Sequence, residues 1–252
     1  MAATVRAVRR TESLLRRPLR LALVGESNSG KSTVTNLLLG VDVLPAFQIA
    51  NTRVPTLIRH GREPSVAAVM EGGKVLPLGP KTRTQDEILY VRVELPLAVL
   101  RACEILDFPG LSDPLLGYDS ANIFSHRIDA AIWCTFSTQA WKESESVAWS
   151  NFPARIREYG LLALTNKDRL KKDQLTKVKA RLDKVARSDF QDFAFLSSLD
   201  ALKALDSDGY VQNDEVWRDS GAADLHEKVG RLVLDLRLHR LRKAQALIGR
   251  IA

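Results

Sequence analysis

Residues 19–32 read LRLALVGESNSGKS, an apolar run followed directly by a turn rich in glycine and serine that carries one lysine. Leu19 to Val24 has the length and apolar character of a buried strand. Thr33 to Leu39 reads as a helix that ends at Gly40. A strand that passes through the pattern GxxxxGKS into a helix is the context in which this pattern forms a phosphate-binding loop.

The loop at residues 25–32 is suited to a triphosphate. Its glycines let successive backbone amides point inward, and the N-terminus of the next helix adds partial positive charge. We expect Lys31 to neutralise β- and γ-phosphate oxygens during catalysis, and Ser32 to bind Mg²⁺ through its hydroxyl. The predicted contacts are Gly25, Glu26, Ser27, Asn28, Ser29, Gly30, Lys31, Ser32 and Thr33.

A second motif, DFPG at residues 107–110, follows a predicted strand over Cys103 to Leu106. A carboxylate at such a strand end holds Mg²⁺ through water, so Asp107 is a predicted metal and nucleotide contact. The amide of Gly110 is placed to respond to a γ-phosphate, which makes Gly110 a predicted nucleotide contact and catalytic group. The loop after it is therefore expected to act as a switch.

The segment TNKD at residues 165–168 follows a predicted strand over Gly160 to Leu164 and bears on the choice of base. A carboxylate there accepts hydrogen bonds from guanine N1–H and the exocyclic amine, which adenine lacks in that arrangement. In the register TxxD the reader is Asp168, whereas the register NKxD would put Arg169 in its place. The alternative is a surface aspartate in a helix-capping loop. The predicted set is Thr165, Asn166, Lys167 and Asp168.

Two weaker segments complete the predicted site. Ser197, Ser198 and Leu199 follow the last predicted strand, where their backbone could close over the base or simply cap a helix. Thr52 precedes another strand, and we expect it to close on Mg²⁺ and the γ-phosphate as a metal ligand and catalytic residue. Thr56, at the strand start, is the less favoured choice, and an ordinary edge-strand threonine is the alternative for Thr52.

Strands that alternate with helices predict a P-loop NTPase fold, a three-layer α/β sandwich with a mostly parallel sheet. Alternating segments at 56–59, 65–70 and 90–95 predict an antiparallel extension, with Gly72-Gly73 as a hairpin turn between two of them. We expect a basic N-terminal helix within residues 1–18, the nucleotide-binding domain at 19–219, and a C-terminal amphipathic helix within 220–252.

Composition and charge exclude several classes of protein. Of 252 residues, 45% are hydrophobic and 27% charged, which excludes wholesale disorder, and two cysteines exclude a disulfide scaffold. The net charge of +7 resides in the ends, since residues 1–20 carry +5 and residues 222–252 carry +4. No nucleic-acid groove is therefore expected across the body. The basic ends suit an anionic membrane surface or an acidic partner, and two solvated helix faces are the alternative.

The apolar runs of the chain are short, and none reaches the 18 residues expected of a spanning helix. Because the N-terminus has no apolar signal segment, we expect a cytoplasmic protein that is peripheral at a membrane. Residues 1–17 also resemble a transit peptide in being rich in arginine and poor in acid, which is a less favoured alternative.

With these motifs in order, residues 19–200 resemble the GTPases of the dynamin superfamily, and bacterial dynamin-like proteins in particular. Residues 52–55, TRVP, are similar to the Thr-Arg-Arg-Pro switch segment of that family. Residues 139–145, QAWKESE, are similar to a family segment that commonly carries a Ser-Glu pair. The additional strands before DFPG also fit the enlarged GTPase domain of the family.

The resemblance implies a Mg²⁺-dependent enzyme that binds GTP and hydrolyses it to GDP and phosphate. It implies a homodimer across the nucleotide face, in which dimerisation orders the switches, and an action at membranes. It also implies that the helices within residues 1–18 and 220–252 pack together as a neck bundle beside the GTPase domain.

Two departures from the family pattern shape the alternatives. Ser27 stands where classical dynamins have a water-orienting glutamine, so we expect slow hydrolysis. The 252 residues leave no room for a long stalk, which implies a stand-alone GTPase domain or a larger partner protein that supplies the stalk. A GTP-gated binding module that does not hydrolyse GTP and recruits a partner is the main alternative function. A P-loop ATPase or kinase is a third.

Overall fold

The structure is a computed structural model, and it describes residues 2–41, 54–78, 88–110, 127–206 and 208–249. Its strands are β1 (Leu19–Val24), β2 (Thr56–His60), β3 (Ser65–Met70), β4 (Val75–Pro77), β5 (Ile88–Leu95), β6 (Cys103–Asp107), β7 (Ala130–Phe136), β8 (Gly160–Thr165) and β9 (Asp192–Phe195). Its α-helices are α1 (Ala2–Arg16), α2 (Lys31–Leu39), α3 (Glu143–Ser150), α4 (Ala154–Arg157), α5 (Lys172–Val185), α6 (Ser198–Lys203), α7 (Asp214–Asp219) and α8 (Ala222–Ile248).

The described strands form one sheet in the order β4-β3-β5-β2-β6-β1-β7-β8-β9. Strands β6, β1, β7, β8 and β9 run parallel, with β1 between β6 and β7. Strand β2 is antiparallel to β6, and β3 is antiparallel to both β5 and β4. The predicted parallel sheet with an antiparallel extension is therefore confirmed, and parallel strands bring their carboxyl ends to one edge.

Both faces of the sheet are covered, which explains why β1 is apolar at successive positions. Leu21 and Leu23 pack with Leu37 of α2 and Leu225 of α8 on one face. The other face holds Trp133 of β7 with side chains of α3 and α5. This α/β/α layering is the predicted three-layer sandwich of a P-loop NTPase.

Helices α1 and α8 lie at the two ends of the described chain. Leu225, Leu232 and Leu236 of α8 are buried at helical spacing against the sheet. The Arg240 guanidinium of α8 donates to the carbonyl of Arg17 at 2.9 Å, which ties α8 to the end of α1. The division of the chain at residues 18 and 219 stays a prediction. Within the described parts of the chain, no helix is both long and apolar enough to span a membrane.

The sequence does not predict strand β4 or the short helices α4 and α7, whereas α6 begins after Ser197, as the helix-capping alternative for residues 197–199 predicts. We expected Gly72-Gly73 to connect the strands at 65–70 and 90–95, but the turn instead leads into β4. Strand β4 has only three residues and ends in proline, so it offers no periodic pattern and suits only a sheet edge. Helices α4, α6 and α7 have four to six residues and carry no measurable helical period.

Candidate functional site

The phosphate-binding loop leaves the sheet where β1 meets β7. Gly25 has φ 143°, and a Cβ at this position would lie 2.2 Å from the carbonyl oxygen of Cys134. Gly30, which precedes α2, has φ 84°, and Asn28 between them has φ 61°. Only glycine fits Gly25, because both the conformation and the contact exclude a side chain. The loop therefore curls tightly from the strand into the helix.

Lys31 lies inside this loop and is 7% exposed. Its ammonium donates to the carbonyl of Gly25 at 3.1 Å and to that of Glu26 at 2.7 Å. Burial lowers the pKa of Lys31, and the negative charge of Asp107 offsets part of that effect. An ammonium group held by backbone carbonyls inside the loop is placed to contact a phosphate bound there rather than bulk solvent.

Ser32 and Asp107 come together beside the loop. The Ser32 hydroxyl donates to Oδ2 of Asp107 at 3.2 Å. Oδ1 of Asp107 is buried and has no hydrogen-bond partner among the described residues. Burial raises the pKa of Asp107 to about 6, against the opposing effects of Lys31 and Ser32. Hydroxyl and carboxylate oxygens are the ligands that Mg²⁺ prefers, so this pair fits the predicted metal.

A cavity of about 390 Å³ opens in front of the loop, at the carboxyl ends of β1 and β8. The Ser198 hydroxyl at its wall is buried and has no partner in the described part of the chain. The Leu199 side chain is 60% exposed and offers an apolar surface. The lining residues are Asn28, Gly30, Lys31, Ser32, Thr33, Thr165, Asn166, Ser198 and Leu199. This volume suits a small-molecule ligand.

Several predicted contacts have other partners. Thr165 lies beneath the loop, where its hydroxyl donates to the carbonyl of Ser29 at 2.9 Å. The Lys167 ammonium donates to the carbonyl of Asp219, and the Ser197 hydroxyl donates to Asp200. Asp168 is exposed in the turn after Asn166 and does not line the cavity. To contact a base bound in this cavity, the Asp168 side chain would have to extend across the cavity rim.

The DFPG segment touches the loop at Ser27. A Cβ at Gly110 would lie 2.1 Å from Oγ of Ser27, so the two backbones approach as closely as glycine allows. Thr52 lies in residues 42–53, outside the described residues, as do residues 111–126 after Gly110. The structure thus brings together the phosphate-binding loop, Asp107 and Gly110, with Thr165, Asn166, Ser198 and Leu199 also at the cavity. The roles of Lys167, Asp168 and Ser197 stay predictions.

Glu26 stays a predicted nucleotide contact of the loop, and its side chain has partners outside the loop. Its carboxylate accepts from the Lys142 ammonium at 2.7 Å and from the Ser144 hydroxyl at 2.9 Å. Sequence reasoning noted the segment 139–145 only for its family likeness, so it missed this pairing. The alternation of charge in QAWKESE was the available signal, but its partner is more than a hundred residues away.

A strained turn precedes Lys142. Trp141 has φ 53°, and its amide donates to the hydroxyl of Thr135 at 3.0 Å. Glu145, which is 2% exposed, accepts from the amide of Lys142 and from Trp133 and Thr135. Three hydrogen bonds to one buried carboxylate fix this turn beside the phosphate-binding loop.

The sheet order, the loop and the Ser32–Asp107 pair define a P-loop NTPase fold. Residues 21–77 match a family model described as "Dynamin family". Dynamin-like protein 2 of Campylobacter jejuni is 28% identical over 170 residues, which cover 63% of this chain and 27% of that protein. The isoniazid-induced protein IniC of Mycobacterium tuberculosis is 37% identical over 109 residues, which cover 39% of this chain and 22% of that protein.

A solved structure of an oligomerised bacterial dynamin pair has the same fold, with a TM-score of 0.66 and 20% identity. The match covers 93% of this chain and 38% of the other chain. Together these matches support a dynamin-superfamily GTPase. It spans between 17% and 27% of the length of the curated relatives it matches.

Proposed function

We propose that the chain binds guanine nucleotide with Mg²⁺ and hydrolyses GTP to GDP and phosphate. The observation that carries this proposal is the buried, unpartnered Oδ1 of Asp107 beside Ser32, whose hydroxyl donates to the same carboxylate and which lines the 390 Å³ cavity. Ser32 and Asp107 would hold the ion, which when bound neutralises charge on the phosphate oxygens. The Lys31 ammonium leaves the Gly25 and Glu26 carbonyls for the β- and γ-phosphates.

Hydrolysis of this kind needs position and electrostatics rather than a covalent intermediate. The inward-pointing amides of the loop and the amide of Gly110 orient the γ-phosphate. Thr52 is the proposed second hydroxyl on the ion. Asp168 reads guanine, and Leu199 and the unpartnered Ser198 hydroxyl, which line the cavity, contact the base. Adenine would leave the Asp168 carboxylate without the two donors that guanine supplies, which discriminates against adenine.

Calorimetry with GTP and ATP, in buffers with Mg²⁺ and with a chelator, tests nucleotide binding. We expect GTP to bind and ATP to bind at least tenfold more weakly. Lys31→Ala should lower GTP affinity by about a hundredfold, as expected for a desolvated charge on phosphate. Lys74→Ala, in the exposed turn before β4, is the matched control and should leave it unchanged. Absence of guanine-nucleotide binding to the wild type would refute the proposal.

Dimerisation across the nucleotide face is the proposed activator. Single-turnover hydrolysis at rising protein concentrations tests it, because the rate per molecule should rise with dimer formation. Ser27 stands where a water-orienting glutamine was expected, and Gly110 packs against it. We therefore expect a slow basal rate.

The contact between Ser27 and Gly110 also favours a second candidate, a GTP-gated module that recruits a partner protein without hydrolysis. This candidate predicts tight GTP binding and nucleotide-dependent dimerisation with no phosphate release at any concentration. Measurable phosphate release that requires Lys31 would exclude it.

Action at an anionic membrane surface is the last part of the proposal, with a cytoplasmic protein that binds peripherally. The basic terminal segments support it, since residues 1–20 carry +5 and residues 222–252 carry +4. The solved dynamin pair is described as sensing and tethering membranes. Co-sedimentation with anionic vesicles at rising salt tests it, and binding that salt does not weaken would contradict it.

A further inference from the structure

A second cavity, of about 250 Å³, lies where the end of α1, the start of β1, the turn Ala98–Arg101 and α8 meet. Arginine dominates its lining, although these segments are far apart in the chain. The five arginines are Arg16, Arg17, Arg101, Arg237 and Arg240. Guanidinium groups gathered around one cavity repel each other unless anions lie between them.

Asp129 neutralises part of this charge. Its Oδ1 accepts from Nη2 of Arg17 at 2.8 Å, and its Oδ2 lies 2.7 Å from Nη2 of Arg240. These side chains are the more buried ones of the cluster, with 32% of Arg17 and 14% of Arg240 exposed. One carboxylate therefore holds two of the cavity's arginines in place.

The other arginines are less well matched. The Nε of Arg101 donates to His60 at 3.0 Å, and Nη2 of Arg237 lies 3.5 Å from the carbonyl of Ala102. Neither Arg101 nor Arg237 forms an ion pair with any described residue. Arg16 pairs with Glu12, but both side chains are more than half exposed, so that pair is weak. The rim of the cavity thus carries uncompensated positive charge.

We propose that this cavity binds a phosphate group, as a phosphate monoester or diester. Arginine forks bind phosphate oxygens in bidentate fashion, and Arg101 and Arg237 have donors to spare for such an anion. Leu15 and Leu241 also line the cavity and are 40% and 49% exposed, so apolar surface lies beside the guanidinium groups. Apolar and cationic groups side by side fit the glycerol phosphate portion of a lipid headgroup.

The position of the cavity separates it from the nucleotide site. It adjoins Leu19 at the start of β1, whereas the phosphate-binding loop begins after Val24 at the end of the same strand. Six strand residues span roughly 20 Å, so the two sites lie at opposite edges of the sheet. A ligand here would leave the nucleotide face open for a second copy. The site deepens the membrane part of the proposed function and does not depend on hydrolysis.

Flotation with phosphatidylcholine vesicles, with and without phosphatidylglycerol, tests the site. The test variant is Arg101→Gln/Arg237→Gln, and the control is Arg218→Gln/Arg231→Gln, which removes the same charge from exposed positions outside the cavity. We expect the test variant to lose at least tenfold more binding to the anionic vesicles than the control, since each arginine near such a surface contributes about 1 kcal/mol. Equal losses in the two variants would overturn the site.

A soluble probe, glycerol 1-phosphate, distinguishes a lipid from a free phosphate ester. Calorimetry in the Lys31→Ala background removes the contribution of the phosphate-binding loop. Binding that requires Arg101 and Arg237 supports the site and shows that it accepts a free ester. Anionic-vesicle binding alone, with the same dependence, supports the site for lipid only. A third outcome is that the wild type binds anionic vesicles while the test and control double variants bind both vesicles and glycerol 1-phosphate equally well. In that case the site fails while the membrane proposal stands. If the wild type binds neither probe, both fail.

Discussion

The Glu26 carboxylate, in the phosphate-binding loop, accepts from the Lys142 ammonium at 2.7 Å. Burial raises the pKa of Glu26, but hydrogen bonds from Lys142 and Ser144 outweigh it, so that the pKa lies below its usual value. The carboxylate is therefore ionised at neutral pH next to the position of a polyanionic ligand. Lys142 in turn is fixed by its backbone contact with the buried Glu145, at 2.9 Å.

Lys142→Met should lower GTP affinity roughly three- to tenfold, because one partly solvated charge left without its partner is worth about 1 kcal/mol. Glu26→Gln should not lower the affinity, and the double variant should return to near the wild-type value. Calorimetric titration of the four proteins gives the coupling directly. Lys172→Met, an exposed lysine at the start of α5, is the control. A double variant as weak as Lys142→Met would show that Lys142 acts independently of Glu26.

Asp107→Asn should stabilise the ligand-free protein while it weakens Mg²⁺-dependent nucleotide binding. The pKa of Asp107 is raised from 3.8 to about 6, so above pH 6 the ionised carboxylate costs the folded state stability. We expect a gain of about 1–3 kcal/mol at pH 8, which corresponds to a Tm increase of several degrees. Below pH 4 the gain should vanish, because the carboxyl is protonated in both states.

Thermal unfolding at pH 8 and at low pH measures this effect, with Asp183→Asn on the exposed side of α5 as the control. Calorimetry with GTP and Mg²⁺ measures the functional loss. A destabilised Asp107→Asn protein at pH 8 would contradict the prediction, since it would mean that the carboxylate contributes favourable contacts in the absence of the ion.

Asp168→Asn should lower affinity for GTP by about a hundredfold and raise affinity for xanthosine triphosphate. An amide at this position can donate to the C2 oxygen of xanthine, whereas it no longer accepts from both N1–H and the amine of guanine. Competition between the two nucleotides measures the change, and Asp173→Asn at the start of α5 is the control. Unchanged GTP affinity would show that the exposed Asp168 never reaches the base.

Local and long-range features differ in how far the sequence could predict them. The loop at residues 25–32 was predictable because strand, glycines, lysine and helix are consecutive, and local sterics dictate its curl. Strand β4 was not predictable, because three residues that end in Pro77 are too few to show the alternating pattern of a strand. The Glu26–Lys142 pair and the arginine cavity depend on how segments far apart in the chain are aligned with one another. Local secondary-structure propensity does not predict that alignment. The left-handed conformation of Trp141 has no sequence signal either, since tertiary contacts impose it.

His226 should make the folded protein sensitive to mild acid. Its Nε2 lies 3.2 Å from the carbonyl of Leu37, which joins α8 to α2, and its ring lies 5.2 Å from that of Trp217. Burial lowers the pKa of His226 below 6.5, so the unfolded chain takes up a proton first as the pH falls. The stability that the neutral ring provides is complete above pH 6.5 and declines as the pH drops toward the folded-state pKa. The Tm difference between the wild type and His226→Gln should therefore shrink from pH 7.5 to pH 5.5. His239→Gln is the control, and a difference independent of pH would contradict this assignment.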